Sequence, residues 1–531
     1  MSVNVPDGVV GLAEQGEILE KTVADLAARP WKGVMTMNSI SRRSWLKTAA
    51  AGICAAPFSR ILGANDDIRL GIVGVGSRVK AGGMGRHEIN NFRNVPGVRI
   101  VALCDVDSAN LAPEVEKFKQ RNEKVAVYAD VRKLLENKEV DAVVVTTPDH
   151  WHALATVWAC QAGKDVFVQK PACHNIFEGR KMVEAARKYN RIVQCPNGSR
   201  EPNGHAEALD YVRQGHLGKI LMVRAVHFSP RSSIGKVSGP QPVPATVNYD
   251  LWSGPAEIAP LLRENLHYDW HWQWLYGTGE LGNWGIHTLD GCRMFVGGGL
   301  PRHAISIGGR FGYDDDGQTP NTQIVYFDYQ PAPVLLELRN LPKDKSFLKN
   351  AIPGKDFWGK GCMDTYLGIP IGKVIHCENG YVIGTVNSHV AFDASGKQIE
   401  EFKPTTPDLY QNFIQAVRSR RVGDLAADIL QGHLSAALVH MGNISHRVGR
   451  TASDGEIRER IDGNKELAAA YERFKAHLSA NGVDLDKASA TLGAMLTFDP
   501  DTERFVGDFG AVANRFVSRQ YRPPFVVPGK V

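Results

Sequence analysis

The stretch Asp67-Ile68-Arg69-Leu70-Gly71-Ile72-Val73-Gly74-Val75-Gly76 decides the fold, because it is typical of a buried strand that runs into a glycine turn. Gly74 permits the tight turn, and Gly76 permits close approach of an anionic group to the backbone. Further glycines lead to a polar stretch from Arg86, where the start of a helix offers free N–H groups. The spacing departs from G-x-G-x-x-G, so an ordinary strand-to-helix turn is the alternative.

A second apolar run, Val98 to Cys104, ends at Asp105. A carboxylate at the tip of the second strand bonds the adenosine ribose hydroxyls of a dinucleotide and repels a 2′-phosphate. Asp105 therefore predicts NAD as the cofactor, rather than NADP. The alternative role for Asp105 is a helix N-cap, which Asp107 or Ser108 can also provide.

Strands and helices continue to alternate up to about residue 196, which predicts a parallel sheet with helices on both faces. In such a sheet, ligands lie beyond the carboxyl ends of the strands. One of these ends carries the run from Thr146 to His150. The residues that we expect to contact the dinucleotide are Gly74, Gly76, Ser77, Arg78, Asp105, Thr146, Thr147, Pro148, His150 and Lys170.

The next strand, Asp165 to Val168, leads into Gln169, Lys170 and Pro171. A lysine at this place faces the cofactor cleft, where it can bond a substrate hydroxyl and stabilise the alkoxide that develops as hydride leaves. The alternative is a solvated loop lysine, which is the usual environment of this residue.

A glycine-rich segment begins at Gly277 and leads into a helical pattern that places Asn283 and His287 four residues apart on one face. His287 is the predicted general base, because the usual pKa of imidazole lies near working pH. The alternative is a core histidine that bonds a carbonyl group. The predicted catalytic residues are Lys170, His287 and Asn283.

These motifs together resemble the Gfo/Idh/MocA family, named for glucose–fructose oxidoreductase, inositol dehydrogenase and a rhizopine-catabolism protein. The resemblance rests on Gly74 to Gly76, Asp105, Thr146 to His150, Gln169 to Pro171, Gly282 to His287, and a stretch typical of exported members, Tyr249 to Ala256. It implies a Rossmann domain followed by an α/β domain with a large open antiparallel sheet. It also implies a catalytic lysine at Lys170 and a catalytic histidine at His287.

Two residues depart from the pattern of that family. Gln169 stands where the family usually has glutamate, and Asn283 stands where it usually has aspartate. An amide can bond a hydroxyl but cannot take its proton. His287 is therefore left as the only base in the motif.

The second half of the chain supplies the expected substrate contacts. A loop rich in Pro, Gly and Ser contains Arg231, and an aromatic run begins at Tyr268. Flat aromatic faces beside polar donors suit sugar rings, although they suit a core or a subunit interface equally well. The predicted substrate residues are Arg231, Tyr268, Trp284 and Asp290.

The chain divides into four expected segments. Residues 1–65 form an N-terminal extension with an export signal, and residues 66–196 form the NAD-binding Rossmann domain. Residues 197–475 form the substrate and oligomerisation domain, and residues 476–531 form an extended arm. The glycine-rich and aromatic segments fit a homodimer or homotetramer.

The paired Arg42 and Arg43, followed by a weakly apolar run from Thr48 to Ala64, indicate a twin-arginine export signal. We therefore expect a periplasmic or otherwise exported protein. A start at Met35 or Met37 would place the arginines where such signals normally have them. The alternative is an N-terminal helix that carries two arginines.

Composition excludes several classes of function. A formal net charge of +5 gives no case for a nucleic-acid partner. No apolar run reaches the ~18 residues that a spanning helix needs. The eight cysteines form no C-x-x-C pair, and no spacing indicates a metal site.

Three functions fit this sequence. The first is an NAD-dependent dehydrogenase or oxidoreductase of a sugar or polyol, with His287 taking the hydroxyl proton and Lys170 steadying the oxygen. The second is a redox-neutral glycoside cleavage by oxidation, elimination and return of the hydride. Export favours it, since free NAD is scarce outside the cytoplasm and a tightly held cofactor is then needed. The third is a nucleotide-binding protein without turnover, suggested by Gln169 and Asn283.

Overall fold

The computed structural model describes residues 67–77, 82–350, 356, 358–405 and 408–531. The predicted export signal and Arg78 lie outside the described residues.

The first domain contains a parallel six-stranded sheet in the order β3-β2-β1-β4-β5-β6. Its strands are β1 (Ile68–Val73), β2 (Val98–Cys104), β3 (Ala126–Tyr128), β4 (Ala142–Val145), β5 (Asp165–Val168) and β6 (Val193–Gln194). Its helices are α1 (Met84–Arg93), α2 (Ser108–Gln120), α3 (Val131–Leu135), α4 (Asp149–Gln161) and α5 (Ile176–Lys188). Strands β1 and β4 are buried throughout, as a sheet covered on both faces requires, and the one charged residue in them, Arg69, pairs with Asp141 at 2.9 Å. This is the predicted Rossmann domain.

The second domain is built on a twelve-stranded sheet. Ten strands follow the order β14-β13-β12-β11-β7-β10-β9-β8-β16-β15, while β17 pairs with β8 and β18. Neighbours are antiparallel except for β7 and β10, which are parallel. The strands are β7 (Ile220–Phe228), β8 (His303–Gly309), β9 (Thr322–Asp328), β10 (Val334–Arg339), β11 (Ile371–Cys377), β12 (Gly380–Gly384), β13 (His389–Asp393), β14 (Gln398–Phe402), β15 (Arg450–Ala452), β16 (Ala490–Leu492), β17 (Leu496–Asp499) and β18 (Arg504–Val506).

The helices of this part pack on the sheet and join it to the first domain. They are α6 (His205–Arg213), α7 (Tyr249–Ser253), α8 (Ile286–Phe295), α9 (Leu409–Ser419), α10 (Ile429–Val448), α11 (Asp454–Ile461), α12 (Lys465–Ala480) and α13 (Gly510–Ala513). Helix α10 packs against both α5 and β8, so it connects the two domains. A π-helical turn, Leu281–Gly285, leads directly into α8. The fold class predicted from the sequence is confirmed.

The predicted boundary of the C-terminal arm differs from the structure. Helix α12 runs through residue 476, and β16, β17 and β18 beyond it belong to the large sheet. The reason is burial: Leu496, Phe498 and Phe505 each bury their side chains in the main core. After Phe516 the chain forms no helix or strand, and Phe525 packs against Trp151 of the first domain with ring centroids 5.5 Å apart.

Within the described ranges, no helix has the length and apolar character needed to cross a membrane. The same ranges hold seven cysteines, all free and buried.

Candidate active site

A cavity of ≈ 280 Å³ lies along the carboxyl ends of the first sheet and is closed by residues of the second domain. One end holds the glycine turn and Asp105, and the other holds Lys170, Asn283 and His287. The topology explains this, because β1, β2, β4 and β5 all end at the same edge of the sheet.

The glycine turn leaves no room for side chains. Gly74 and Gly76 have φ values of +88° and +82°, which favour glycine. A Cβ at Gly76 would collide with the carbonyl oxygen of Gly82, and one at Gly85 would collide with that of Gly74. Without side chains, this turn lets a ligand come close to the backbone, and the N-terminus of α1 follows it. Both features fit the pyrophosphate of a dinucleotide.

Asp105 lines the same cavity at the end of β2. Its carboxylate accepts hydrogen bonds from the N–H groups of Val75 (2.8 Å), Gly76 (3.3 Å) and Asp107 (2.9 Å). Burial raises the pKa of Asp105, and these N–H groups lower it. The N-cap of α2 is Asp107, which accepts from the N–H of Ala109 at 2.9 Å. Asp105 is therefore left beside the glycine turn, in the position from which a carboxylate meets a ribose.

Most of the other predicted cofactor contacts line the cavity. They are Ser77, Thr146, Thr147, Pro148 and Lys170. His150 is an exception: it is 1% exposed, its Nε2 lies 2.9 Å from the carbonyl oxygen of Trp252, and it is not part of the lining. The cavity is lined instead by His152, whose ring lies between the carbonyl groups of Thr147 and Pro171.

Lys170 sits where β5 meets the second domain, before a cis bond to Pro171. Its Nζ donates to the backbone oxygen of Asn283 at 2.5 Å and to Oδ1 of the same residue at 3.3 Å. It also lies 5.8 Å from the centre of the Trp284 ring. Burial lowers the pKa of Lys170, while Asp149 and Glu280 act to raise it.

Asp149 is a cavity-lining carboxylate to which the sequence reading gave no role. It opens α4, and its Oδ2 accepts a hydrogen bond of 2.7 Å from the hydroxyl of Thr278. Burial raises the pKa of Asp149 to about 7, against the lowering effect of Thr278 and Lys170. Asp149 and Lys170 thus influence each other's proton affinity within one cavity.

Asn283 lies on the π-helical turn, and a hydrogen bond to Glu280 fixes its side chain. Its Nδ2 donates to Oε2 of Glu280 at 3.1 Å. Glu280 is 0% exposed, and its carboxylate pairs with the guanidinium of Arg231 at 2.9 Å. The Nε2 atoms of His227 and His271 lie 3.6 and 3.7 Å from the same carboxylate. Burial would raise the pKa of Glu280, but Arg231 and the two histidines hold it well below its usual range.

His287 lines the cavity from the first turn of α8. The backbone N–H of Gly198 donates to its Nδ1 at 2.9 Å. Because a backbone N–H can only donate, Nδ1 carries a lone pair and the neutral ring has its proton on Nε2. Burial, with Lys170 and His227 nearby, holds the pKa of His287 well below its usual range. In this geometry the Nε2 side of His287 presents a hydrogen-bond donor, whereas the role of general base predicted from the sequence requires a free lone pair there.

Two of the four predicted substrate residues line the cavity, namely Tyr268 and Trp284. Tyr268 has a φ of 66°, an uncommon backbone conformation for a residue other than glycine. Trp284 is 38% exposed.

The other two predictions are corrected, because neither residue lines the cavity. Arg231 is 8% exposed and neutralises Glu280 behind the wall. Asp290 is 0% exposed and accepts from Arg200 at 2.9 Å and from Ser435 at 2.6 Å, which ties α8 to α10. A buried charge needs such partners, and sequence alone did not reveal them.

Sequence reasoning missed Asp149, His152 and Glu280. The first two lie in the first turn of α4, shortly after the carboxyl end of β4, so their place at the sheet edge was visible. Glu280 precedes Asn283 by three residues, a spacing that places both on one side of a helical turn. That spacing was the available signal.

Comparison with known proteins agrees with this architecture. Residues 68–196 match the NAD-binding Rossmann fold of the Gfo/Idh/MocA oxidoreductase family, and residues 227–350 match the C-terminal α/β domain of that family. The two segments match the two domains of that family in the same order along the chain, which supports the resemblance seen in the sequence. The NAD-binding Rossmann character predicted for the first domain is thereby confirmed.

Two relatives carry the names of different classes of enzyme. An α-N-acetylgalactosaminidase from Shewanella oneidensis is 26% identical over 207 residues, which is 37% of this chain and 44% of that protein. An inositol 2-dehydrogenase from Salmonella typhimurium is 27% identical over 186 residues, which is 35% of this chain and 52% of that protein. The chain thus spans about half the length of the relatives it matches.

Solved structures share the fold. The WlbA dehydrogenase from Bordetella pertussis, in complex with NADH and UDP-GlcNAcA, has a TM-score of 0.51 at 19% identity, covering 72% of this chain and 97% of that one. A levoglucosan dehydrogenase, in complex with NADH and levoglucosan, has a TM-score of 0.51 at 16% identity, covering 71% and 96%. At this level of identity they show the fold alone.

Proposed function

We propose that the protein is an NAD-dependent oxidoreductase that acts on a hydroxyl group of a sugar or polyol. One observation carries this proposal: Lys170, Asn283 and His287 line the same cavity as the glycine turn and Asp105. When bound, NAD supplies the hydride acceptor. The residues at the other end of the cavity then accept the proton of the substrate hydroxyl and stabilise its oxygen.

Lys170 is the proposed proton acceptor. A neutral amine has two hydrogens and one lone pair, and both hydrogens are engaged by the two oxygens of Asn283. The lone pair is then free to take the hydroxyl proton, and the lowered pKa of Lys170 favours the neutral amine. His287 donates its Nε2–H to the same substrate oxygen and stabilises negative charge there. These roles are the reverse of those inferred from the sequence.

The charges of the cavity favour an uncharged substrate. Among the described lining residues, Lys170 is the one lysine or arginine, and it is committed to Asn283. With Lys170 as a neutral amine, a carboxylate or phosphate on the substrate would meet no lysine or arginine cation among these described residues. The exposed face of Trp284 and the ring of Tyr268 offer flat apolar surface, which suits a hydroxyl-rich ring.

Cofactor content is the first test. The protein is purified without added nucleotide and denatured, and released NAD(H) and NADP(H) are quantified per chain. A panel of neutral sugars and polyols is then assayed for reduction of NAD, with uronic acids as the charged comparison. Bound NAD with turnover of neutral substrates supports the proposal. Failure to bind or reduce NAD with any of these compounds overturns it.

Redox-neutral cleavage of a glycoside is the second candidate. It is favoured by a segment of the second domain that lines the cavity and is bonded to the first domain. The segment that follows β7 bonds to the loop after β2: the N–H of Asn248 donates to the carbonyl of Val106 at 2.9 Å, and His267 pairs with Asp107 at 2.8 Å. We call residues 241–276 the strap. A strap over the cleft favours a retained cofactor, and similarity to the α-N-acetylgalactosaminidase points the same way.

Release of nitrophenol from nitrophenyl glycosides distinguishes the candidates. Cleavage without added NAD, accompanied by deuterium uptake from solvent at C2 of the sugar, supports elimination. Stoichiometric NADH formation without cleavage supports net dehydrogenation.

Export through the twin-arginine route and assembly into a homodimer or homotetramer remain proposals that rest on the sequence. Replacement of both Arg42 and Arg43 by lysine should retain the protein in the cytoplasm of the cell that produces it. Light scattering of the purified protein gives its oligomeric state.

A further inference from the structure

A buried charge cluster lies behind the wall of the cavity. Its centre is Glu280, which pairs with Arg231; Arg231 in turn reaches Asp356 at 3.4 Å, and His227 and His271 lie on either side of Glu280. Glu280 is fully buried and is not part of the cavity lining. Burying a carboxylate is costly, and here the pairing offsets that cost.

The cluster determines which way the Asn283 amide faces. The carboxylate of Glu280 can only accept hydrogen bonds, so the NH₂ group of Asn283 must face it. The side-chain oxygen of Asn283 is then turned towards Nζ of Lys170. The opposite orientation would place a carbonyl oxygen against a carboxylate and an NH₂ group against an amine that needs an acceptor.

The direction of the Lys170 amine follows from that orientation. With its hydrogens directed at the backbone and side-chain oxygens of Asn283, the remaining position on Nζ points away from Asn283. The two residues share the cavity wall, so this position is open to a substrate oxygen.

We propose that Glu280 is a positioning residue, which acts through the amide of Asn283 to aim the amine of Lys170 at the substrate. The catalytic benefit of this positioning rests on the proposed function. The linkage Glu280–Asn283–Lys170 itself can be measured without turnover. Glu280 neither lines the cavity nor contacts Lys170, so any effect of Glu280 on the direction of the Lys170 amine must pass through Asn283.

Other titratable groups also surround Lys170, and their effects must be separated from this linkage. Besides Glu280 itself, they are Asp149, Arg231, Cys195, His152, His227 and His287. A change at Glu280 alters both the charge around Lys170 and the orientation of Asn283. A double-mutant cycle distinguishes the two effects, because the direct charge effect persists without Asn283 and the positioning effect does not.

The experiment is competitive acetylation of the full chain with acetic anhydride, read by mass spectrometry at a pH where lysines are deprotonated. The exposed Lys138 is the internal reference. We expect Glu280→Gln and Asn283→Leu each to raise acetylation of Lys170 relative to Lys138 by about threefold or more, in line with coupling within one network. The double variant should show no further rise.

Additive effects in the double variant, or an unchanged rate in Glu280→Gln, would overturn the proposal. Asn283→Leu leaves the pair of Glu280 and Arg231 intact, so it still reports if Glu280→Gln fails to fold. In that case an unchanged Lys170 reactivity in Asn283→Leu overturns the linkage. A wild-type protein without oxidoreductase activity on any of the tested sugars and polyols, together with a non-additive cycle, would instead refute the proposed function and leave the positioning role standing.

Discussion

The backbone N–H of Gly198 donates to Nδ1 of His287 at 2.9 Å, and this places the proton of the neutral ring on Nε2. The bond comes from the turn at residues 198–200, whose Ser199 hydroxyl also bonds the backbone oxygen of His287 at 2.7 Å. His287 is therefore held by ring and by backbone from the same turn. A ring fixed in this way can donate to a substrate oxygen but has no free lone pair with which to take its proton.

The roles of Lys170 and His287 can be separated by pH. Because Lys170 must be neutral to accept a proton, activity should be present above its pKa and lost as pH falls through it. His287→Ala should lower kcat about a hundredfold or more, as loss of a donor to a developing oxyanion does. The measurement is kcat/KM against pH for the wild type and for His287→Gln, which keeps a donor. Both should show the same loss at low pH; its disappearance in His287→Gln would restore His287 as the base.

Charge at position 283 should shift that pH dependence in a known direction. Asn283→Asp adds a carboxylate beside Lys170, which favours the ammonium form and raises the pKa of Lys170. The low-pH loss of activity should therefore move to higher pH. Asp149→Asn is the matched comparison: it removes a carboxylate that raises the pKa of Lys170, so the loss should move to lower pH. Shifts in the same direction for both variants would contradict Lys170 as the titrating group.

Asp290 should matter for stability and not for substrate binding. It is fully buried against Arg200 and Ser435, and Arg200 and Arg293 hold its pKa below the usual range despite burial. Asp290→Asn breaks a buried pair and should lower the free energy of unfolding by roughly 3–5 kcal/mol. Since the folded pKa is depressed, the stabilisation from Asp290 is present at neutral pH and is lost only as pH falls through that value.

Urea unfolding measures this change, and KM of the folded variant provides the control. An unchanged midpoint together with a raised KM would return Asp290 to the substrate site.

The sequence predicted the parts of the fold that depend on local pattern. The strand ending at Gly74 and the acidic tip of β2 at Asp105 were recognisable, because glycine conformation and apolar runs are local properties. The failures concern partners distant in the chain. Arg231 and Asp290 were polar residues near motifs, and only the fold shows that Glu280 and Arg200 neutralise them inside the protein. The tautomer of His287 likewise depends on Gly198, which is 89 residues away in sequence.

Asp105 should determine the choice between NAD and NADP. Its carboxylate lines the cavity beside the glycine turn, where it would meet the ribose hydroxyls and repel a 2′-phosphate. Asp105→Ala should bring the ratio of the NADP dissociation constant to the NAD dissociation constant closer to one. Fluorescence titration with each cofactor measures both constants. Asp130→Asn is the control, because Asp130 lines the same cavity and an asparagine keeps its role as the N-cap of α3. An unchanged ratio in Asp105→Ala would mean that this carboxylate does not read the ribose.

The strap should slow the release of the dinucleotide. His267 and Asp107 join the strap to the N-cap of α2 at 2.8 Å, and Thr246 accepts from the N–H of Ser108 at 3.0 Å, so these bonds hold the strap against the residues that follow Asp105. His267→Ala removes one of these links and should increase the NAD dissociation rate about tenfold, the effect of losing one charge-assisted hydrogen bond of ~1.5 kcal/mol. Stopped-flow displacement of NADH measures the rate. His303→Ala is the control, because it breaks a His–Asp pair between β8 and β9 that does not line the cavity. Equal rates in His267→Ala and the wild type would show that the strap does not retain the cofactor, which would remove the structural support for a redox-neutral reaction.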